Sequence, residues 1–402
     1  MSELRGSLRS HLSHRDYDYV VVGLGGLGSA AVWELARRGH RVVGLERFEL
    51  GHARGASHDT SRILRHSYHT PDYVRLTQEA YADWAGLEQE SGEHLVTRVG
   101  GIDLFPPDPA IPSVDYTRSM DEVGIAYEVL DARQVVTRWP QLRLPAETLG
   151  LYQADAAIVP AGRTTAVLQQ QARRHGAELR EHSPVLGLED LGEAGLRVTT
   201  AAGELHCRGV VVTADAWTND VVGHLGLHVP LEVTLEQVTY FATERPADLT
   251  TLPLWIWMDD PSFYGFPPYA PSGAQSGMVK AAQDCGGPAV DPDDRTSDPD
   301  PAMEALLTEH LRAMLPGVGA PVRSVRCQYT LTPDRDFVLA PVPGHERVVV
   351  GLGAAHGFKF VPTFGRLLAD LVTAGETATD LSAYRLDRPA LTEPDYATHW
   401  LV

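Results

Sequence analysis

The chain has 402 residues, 43% of them apolar, and its 34 Lys and Arg stand against 53 Asp and Glu for a formal net charge of −19. That surplus of acid excludes a duplex nucleic-acid binder, whose phosphate contacts need a basic surface, and the apolar fraction supports packed cores rather than overall disorder. At roughly 100–200 residues per domain the length allows two or three domains, and no run approaches the ~20 apolar residues of a membrane span. Three cysteines, Cys207, Cys285 and Cys327, are too few and odd in number for a disulfide framework, which fits a reducing compartment. Residues 1–15 are basic without a continuous apolar stretch and read as a flexible leader rather than a signal peptide. A soluble, cytoplasmic protein is expected, and no metal. Of the basic residues only Lys280 and Lys359 are lysines. The bias itself is most simply mutational, yet a lysine kept in so arginine-rich a chain marks a place for a compact ammonium with a movable pKa, which guanidinium cannot supply.

Residues 17–22 form an apolar strand that runs into GLGGLG, with Gly23, Gly25 and Gly28 at fingerprint spacing, and then into a helix over 29–38 closed by Gly39. A second strand over 41–45 ends at Glu46, 18 residues after Gly28. In such a unit the first glycine permits the tight turn and the second lets the backbone approach a pyrophosphate. The third allows close helix packing, and the acid takes ribose hydroxyls. A dinucleotide site follows, without saying which dinucleotide. After Pro71, the residues Tyr73, Leu76, Ala80, Trp84 and Leu87 recur at helical spacing and read as the core face of a helix. Residues 101–105 read as a strand followed by a proline-rich loop, 164–175 as a helix, and 185–188 and 196–199 as strands. A buried parallel strand over 210–213 ends in Ala214-Asp215-Ala216-Trp217, so the nucleotide-binding sheet is revisited late in the chain. Strands are expected on both sides of Asp259-Asp260-Pro261. The acidic, Gly- and Pro-rich stretch 286–302 reads as a solvated loop without function. Beyond it come a helix over 302–315, a buried strand over 347–351, and a helix over 364–373 with Phe364, Leu367, Leu368 and Leu371 inward.

Four stretches together carry a resemblance: the glycine turn with Glu46, SRILRHSY at 61–68, CQYTLTPDRDF at 327–337, and HGFKF at 356–360. From residue 16 to residue 386 the chain resembles the monomeric sarcosine oxidase and N-methyltryptophan oxidase family, within the larger group of glycine and D-amino-acid oxidases. The resemblance implies FAD rather than NAD as cofactor. It implies an α/β fold with a glutathione-reductase-like, Rossmann-type FAD-binding domain, discontinuous over 16–97, 156–228 and 334–402. A second, mixed-sheet α+β substrate domain would take 98–155 and 229–333. The implied activity is an FAD-dependent oxidase of secondary α-amino acids, with hydride transfer to flavin N5 giving an imine and O2 giving H2O2. Its partners would be a small amino acid and O2, with no nucleic acid and no membrane, in a monomer.

The resemblance also assigns residues. Cofactor contacts fall on Gly23, Gly25, Gly26, Leu27, Gly28, Glu46, Arg47, Ser57, Ser61, Arg62, Ile63, Val185, Trp217, Gly357, Phe358 and Lys359. Cys327 joins them, since the family cysteine is bonded through sulfur to the flavin 8α-methyl. Taken alone, a single cysteine is more often an inert buried residue. Lys280 resembles the lysine over the flavin whose fixed cation stabilises superoxide as it develops; a strand-edge surface lysine is the plain alternative. Lys359 and Arg65 resemble the pair that clamps the substrate carboxylate. The N–H groups of Gly357 and Phe358 would hold the flavin's pyrimidine carbonyl. Arg62 would lie against the isoalloxazine or form a structural salt bridge. Tyr264 and Tyr329 match pocket aromatics whose faces favour a cationic amine, or else they only pack.

Three departures bear on substrate. Asp284 stands where the family has a histidine, as in a branch that oxidises cyclic imino acids, so an oxidase of a pipecolate-like ring is the second reading. Asp215 replaces a glycine usual in its turn. The stretch between Tyr264 and Lys280 is longer than the family's, and Pro267, Pro268 and Tyr269 reshape the pocket wall. From other classes, the glycine turn alone admits an NAD-dependent dehydrogenase, and a flavin-binding scaffold without catalysis remains.

Overall fold

The computed structural model describes residues 16–243, 246–269 and 277–399; the leader expected over 1–15 lies outside them. Valine-rich strands build a six-stranded sheet in the order Val338–Val342, His345–Leu352, Gly209–Val212, Tyr19–Val22, Val42–Leu45, Glu178–Arg180. It is parallel except at the edge, where Val338–Val342 turns back antiparallel. Near-continuous apolar strands are what a sheet covered on both faces requires, and their alternation sorts the two coverings. Val21, Val211 and Val349 join the core shared with the helices Gly26–Arg37 and Val361–Ala374. Val20, Val22, Val210, Val212, Val348 and Val350 face the other way, onto the antiparallel meander Gly187–Asp190, Leu196–Thr200, Gly203–Cys207. Cys207 is fully buried there, packed in that core. The helix expected after Pro71 runs Pro71–Ser91 with Tyr73, Leu76, Ala80, Trp84 and Leu87 all buried. The strand expected over 185–188 begins later, at Gly187–Asp190.

The second sheet has eight strands in the order Val318–Leu331, Glu232–Thr243, Val279–Asp284, Ser262–Phe266, Leu254–Trp257, Gly101–Phe105, Leu149–Gln153, Glu128–Asp131. Leu254–Trp257 pairs in parallel with Gly101–Phe105, and the other pairings are antiparallel. The strands expected around Asp259-Asp260-Pro261 form the hairpin Leu254–Trp257 with Ser262–Phe266. Helix Pro301–Met314 covers one face, setting Leu307, Leu311 and Met314 against Phe241, Trp255, Phe263, Val279 and Ala281. Because side chains alternate along a strand, the opposite face carries Tyr240, Ala282, Tyr264 and Cys327, with Lys280 in step with Ala282. That face looks toward the parallel-sheet unit. A mixed α/β fold with a Rossmann-type sheet and a second mixed sheet is therefore what the chain forms. Among the described residues no helix is long and apolar enough to cross a membrane.

Candidate active site

A cavity of about 770 Å³ lies between the glycine turn and the second sheet. On its parallel-sheet side Gly23 sits at φ +86, and a Cβ there would stand 2.5 Å from the carbonyl oxygen of Thr213. Only glycine fits that conformation and that approach. A Cβ on Gly28 would collide with the Gly23 carbonyl at 1.8 Å, so this glycine packs behind the turn rather than lining the cavity. Ser57 Oγ accepts from the Gly26 N–H at 2.8 Å at the start of helix Gly26–Arg37. Glu46 is buried, accepting from Leu24 N at 2.8 Å and Phe48 N at 3.0 Å, with His52 Nε2 at 3.3 Å. Burial alone would raise its pKa, but these bonds hold the carboxylate below its ordinary range. Arg47 lies against the faces of Phe48 and Trp217, and Leu27, Ile63 and Val185 complete this wall.

The acidic stretch read as a bare solvated loop returns to this cradle. Asp293 accepts from Trp217 Nε1 at 2.8 Å and pairs with Arg47 Nη2 at 3.1 Å, while Arg295 donates to the carbonyl of Ala53. Its prolines and aspartates hid this role, because nothing in composition says which neighbour a loop carboxylate meets. Half-buried Asp215 and the buried Gln328 and Thr330 also line the cavity, with both neighbours within hydrogen-bonding reach of the Asp215 carboxylate. Burial raises the pKa of Asp215. With the glycine turn and the buried Glu46 carboxylate, this polar lining makes the cavity fit a dinucleotide.

On the second-sheet side, Cys327 and Tyr329 lie across the ladder from Glu236 and Thr234, and Tyr264 lies across from Ala282. All three expected residues line the cavity. Burial pushes the Cys327 thiol up to about 11, while the Arg62 and Lys280 cations pull it down. Burial likewise holds the hydroxyls of Tyr264 and Tyr329 well above the ordinary tyrosine range. Arg62 forms no salt bridge among the described residues; it donates to the carbonyls of Ser61, Ala56 and His58 and lines the cavity over the Phe358 ring. Ser61 and Lys280 stand behind the wall. The lysine is buried, its Nζ bonded to the Ser61 carbonyl and paired with Asp59, a residue the sequence reading passed over.

At the inner end three cations converge. Arg65 pairs with the buried Asp103 at 2.8 Å and also donates to Ser67. Arg335 grips Asp284 with both terminal nitrogens, at 2.8 and 2.9 Å, so the carboxylate expected at the position of a family histidine faces its own counter-ion. Lys359 donates to Tyr68 OH at 2.7 Å and to the carbonyl of His356 at 2.9 Å. His356 Nε2 lies 3.0 Å from the carbonyl of Arg335 and Nδ1 lies 3.2 Å from Tyr68 OH. A carbonyl can only accept, so Nε2 carries the proton, Nδ1 accepts from Tyr68, and the tyrosine oxygen is left to accept from Lys359. Burial, then Arg65 and Arg335, hold the Lys359 pKa well below its ordinary value. The Gly357 N–H expected to face a flavin carbonyl is already bonded to Gly353 O at 2.7 Å, because the turn closes on itself; Phe358 and Gly357 both line the cavity. Among the described residues no cluster of metal ligands forms.

Known proteins resemble this chain in sequence and in fold. Residues 18–371 match the family described as FAD dependent oxidoreductase. The chain is 34% identical to a monomeric sarcosine oxidase of Streptomyces avermitilis, over 92% of this chain and 96% of that protein. It is 30% identical to a human peroxisomal sarcosine oxidase, over 92% and 96%. Its fold superposes with a TM-score of 0.82 and 32% identity on NikD, an unusual amino acid oxidase essential for nikkomycin biosynthesis, covering 92% of this chain and 97% of that one.

Proposed function

Because this chain belongs to the FAD dependent oxidoreductase family, we propose that it is an FAD-dependent oxidase of secondary α-amino acids of the sarcosine or N-methyl amino acid type. The observation that carries the reading is one cavity joining a dinucleotide turn to a pocket where Lys359, Tyr264, Tyr329 and Cys327 meet. FAD, when bound, supplies the redox chemistry: it takes a hydride equivalent from the carbon beside the amine, which becomes an imine, and O2 carries the electrons off as H2O2. The chain's own residues bind and orient. The parallel-sheet unit, over the three segments drawn from the sequence, holds the cofactor through Gly23, Glu46, Ser57 and Arg47. Lys359 receives the substrate carboxylate, and Arg65 and Arg335, each neutralised by its own carboxylate, shape the field around it. The neutral phenol rings of Tyr264 and Tyr329 would flank the amine, whose positive charge favours an aromatic face. For an N-methyl substrate the imine hydrolyses to formaldehyde and the demethylated amino acid. To Cys327 we assign the bond to the flavin 8α-methyl carbon, in which a C–S bond would replace an S–H and a C–H bond and the two electrons would leave through the flavin to O2; Arg62 and Lys280 lower the cost of forming its thiolate. We read the enzyme as a cytoplasmic monomer.

The oxidation of a pipecolate-like ring is not favoured by the sarcosine and N-methyltryptophan oxidases among the relatives. The test is anaerobic bleaching of the flavin spectrum on mixing with sarcosine, N-methyltryptophan, proline and pipecolate in turn. Rapid bleaching by an N-methyl amino acid is expected. Bleaching by a ring compound alone would replace the proposal and make Asp284 the residue that selects substrate.

A further inference from the structure

Lys280 sits behind the cavity wall with its charge fully engaged. Its Nζ is 2.6 Å from Asp59 Oδ2 and 3.0 Å from the Ser61 carbonyl. The rings of Phe266 and Tyr240 lie 5.3 and 5.9 Å from it, centre to nitrogen. Asp59 is built in as firmly. It adopts φ 78, a left-handed conformation uncommon for a residue with a side chain. Its carboxylate accepts from Tyr240 OH at 2.6 Å, and that hydroxyl is tied in turn to Thr60 Oγ1 at 2.7 Å. Its carbonyl accepts from Gly162 N at 3.0 Å. A backbone strained to this degree and bonded from three sides points to a side chain whose position matters.

We propose that Asp59 is a positioning residue that keeps the Lys280 ammonium charged and in place, so that reaction with O2 depends on the Asp59–Lys280 pair rather than on the lysine alone. This rests on the reading of Lys280 as the cation that serves O2. The groups facing Lys280 are Asp59 and His58 on the preceding loop, Arg62 on its strand, Tyr240 and Phe266 on the neighbouring strands, and Cys327 beyond; Arg323 lies 3.8 Å from Asp59 Oδ1. Asp59 is the anion among them. Burial lowers the affinity of Lys280 for its proton, Asp59 raises it, and Arg62 lowers it again, a balance that leaves the group titrating at about 8. Without the carboxylate the two lowering effects are opposed only by Cys327, and the lysine is expected to be largely neutral at pH 7.

With only two lysines in the chain, holoenzyme carrying 13C-labelled lysine gives two side-chain resonances, and loss of one in Lys280→Met assigns them. In Asp59→Asn the Lys280 titration midpoint is expected to fall by at least about two units. Reoxidation of the reduced enzyme by air at pH 7 then slows by at least about tenfold and recovers as the pH is lowered. Asp59→Glu restores both, and Asp59→Ser carries the same expectation as Asn if that variant does not fold. An unchanged midpoint and an unchanged pH profile, in an enzyme that Lys280→Met does slow, overturn the inference while leaving Lys280 its role. Wild-type reoxidation in Lys280→Met removes that role and the inference with it.

Discussion

At the scale of the residue, the pocket is governed by which cations are already neutralised. Arg65 is paired with the buried Asp103 and Arg335 with the half-buried Asp284, whereas among the described residues Lys359 forms no ion pair and leans on the neutral Tyr68 hydroxyl and a carbonyl. On the proposed function a substrate carboxylate would supply that counter-ion, and its arrival would raise a lysine pKa that burial and two arginines hold down. The sign follows: below the pKa of the unliganded lysine the cation is already present and affinity is flat. Above it, binding must draw in a proton, and affinity falls about tenfold per pH unit. Lys359→Met removes a charge-assisted hydrogen bond of about 1.5–3 kcal/mol, so KM for sarcosine and the inhibition constant of acetate are expected to rise roughly 10- to 150-fold. Tyr68→Phe keeps the charge but removes its anchor, and a smaller rise, roughly fivefold, is expected at about 1 kcal/mol. Unaltered acetate inhibition in both variants would place the carboxylate elsewhere.

At the scale of the element, the motif TPDRDF owes its shape to the chain's C-terminal segment. Arg388 grips both carboxylate oxygens of Asp334 at 2.7 and 2.9 Å and donates to the carbonyls of Phe337 and Asp336. Burial would raise the Asp334 pKa, but Arg388 outweighs it and holds the carboxylate below its ordinary value. A depressed folded pKa stabilises the protein fully above the unfolded value and loses that contribution as pH falls through the folded one. Arg388→Ala leaves a buried carboxylate unpaired, and a loss of about 3–5 kcal/mol at pH 7 is expected. That loss should shrink at pH 3, where the orphaned acid takes up a proton; urea unfolding followed by tryptophan fluorescence checks both. The sequence never announced this clamp, because Asp334 and Arg388 are brought together only by tertiary folding. The valine strands of the parallel sheet were legible, being apolar on both faces, as was the helix after Pro71, whose core face repeats at helical spacing. The long strands Glu232–Thr243 and Val318–Leu331 were not. They bury Thr234, Glu236, Gln237, Thr239, Arg326 and Gln328, so polarity no longer reports exposure and the alternation disappears. Cys327 and Tyr329 were found by motif, while Asp59, Tyr68, Asp103 and Arg335 were missed as site residues, since each acts by pairing with a residue distant in sequence.

At the scale of the whole molecule, two units of different architecture close on one cavity, and the stretch 286–302 crosses from the second to brace Arg47 and Trp217 in the first. A cofactor held there touches both units and binds the folded chain alone, so it is a stabilising ligand by mass action. A bond to Cys327 changes the form of that stabilisation: the cofactor becomes part of the chain, and added FAD has no vacant site to fill. The expected wild-type behaviour is a Tm indifferent to free FAD and a yellow colour that stays with the polypeptide on denaturation. Cys327→Ser should fold, release its colour on denaturation, and gain about 2.7 kcal/mol when free FAD stands at a hundredfold its Kd. In a chain of this size that is a rise of a few degrees in Tm, because the entropy of unfolding grows with length and each kcal/mol moves the midpoint less. The two measurements separate two ideas. Wild-type protein that loses its colour on denaturation has no bond at Cys327, whatever its activity. A Cys327→Ser protein that binds FAD yet melts at the same temperature at every FAD concentration would mean that FAD binds the unfolded chain as well as the folded one, and that the cavity's two walls are held together by the protein alone.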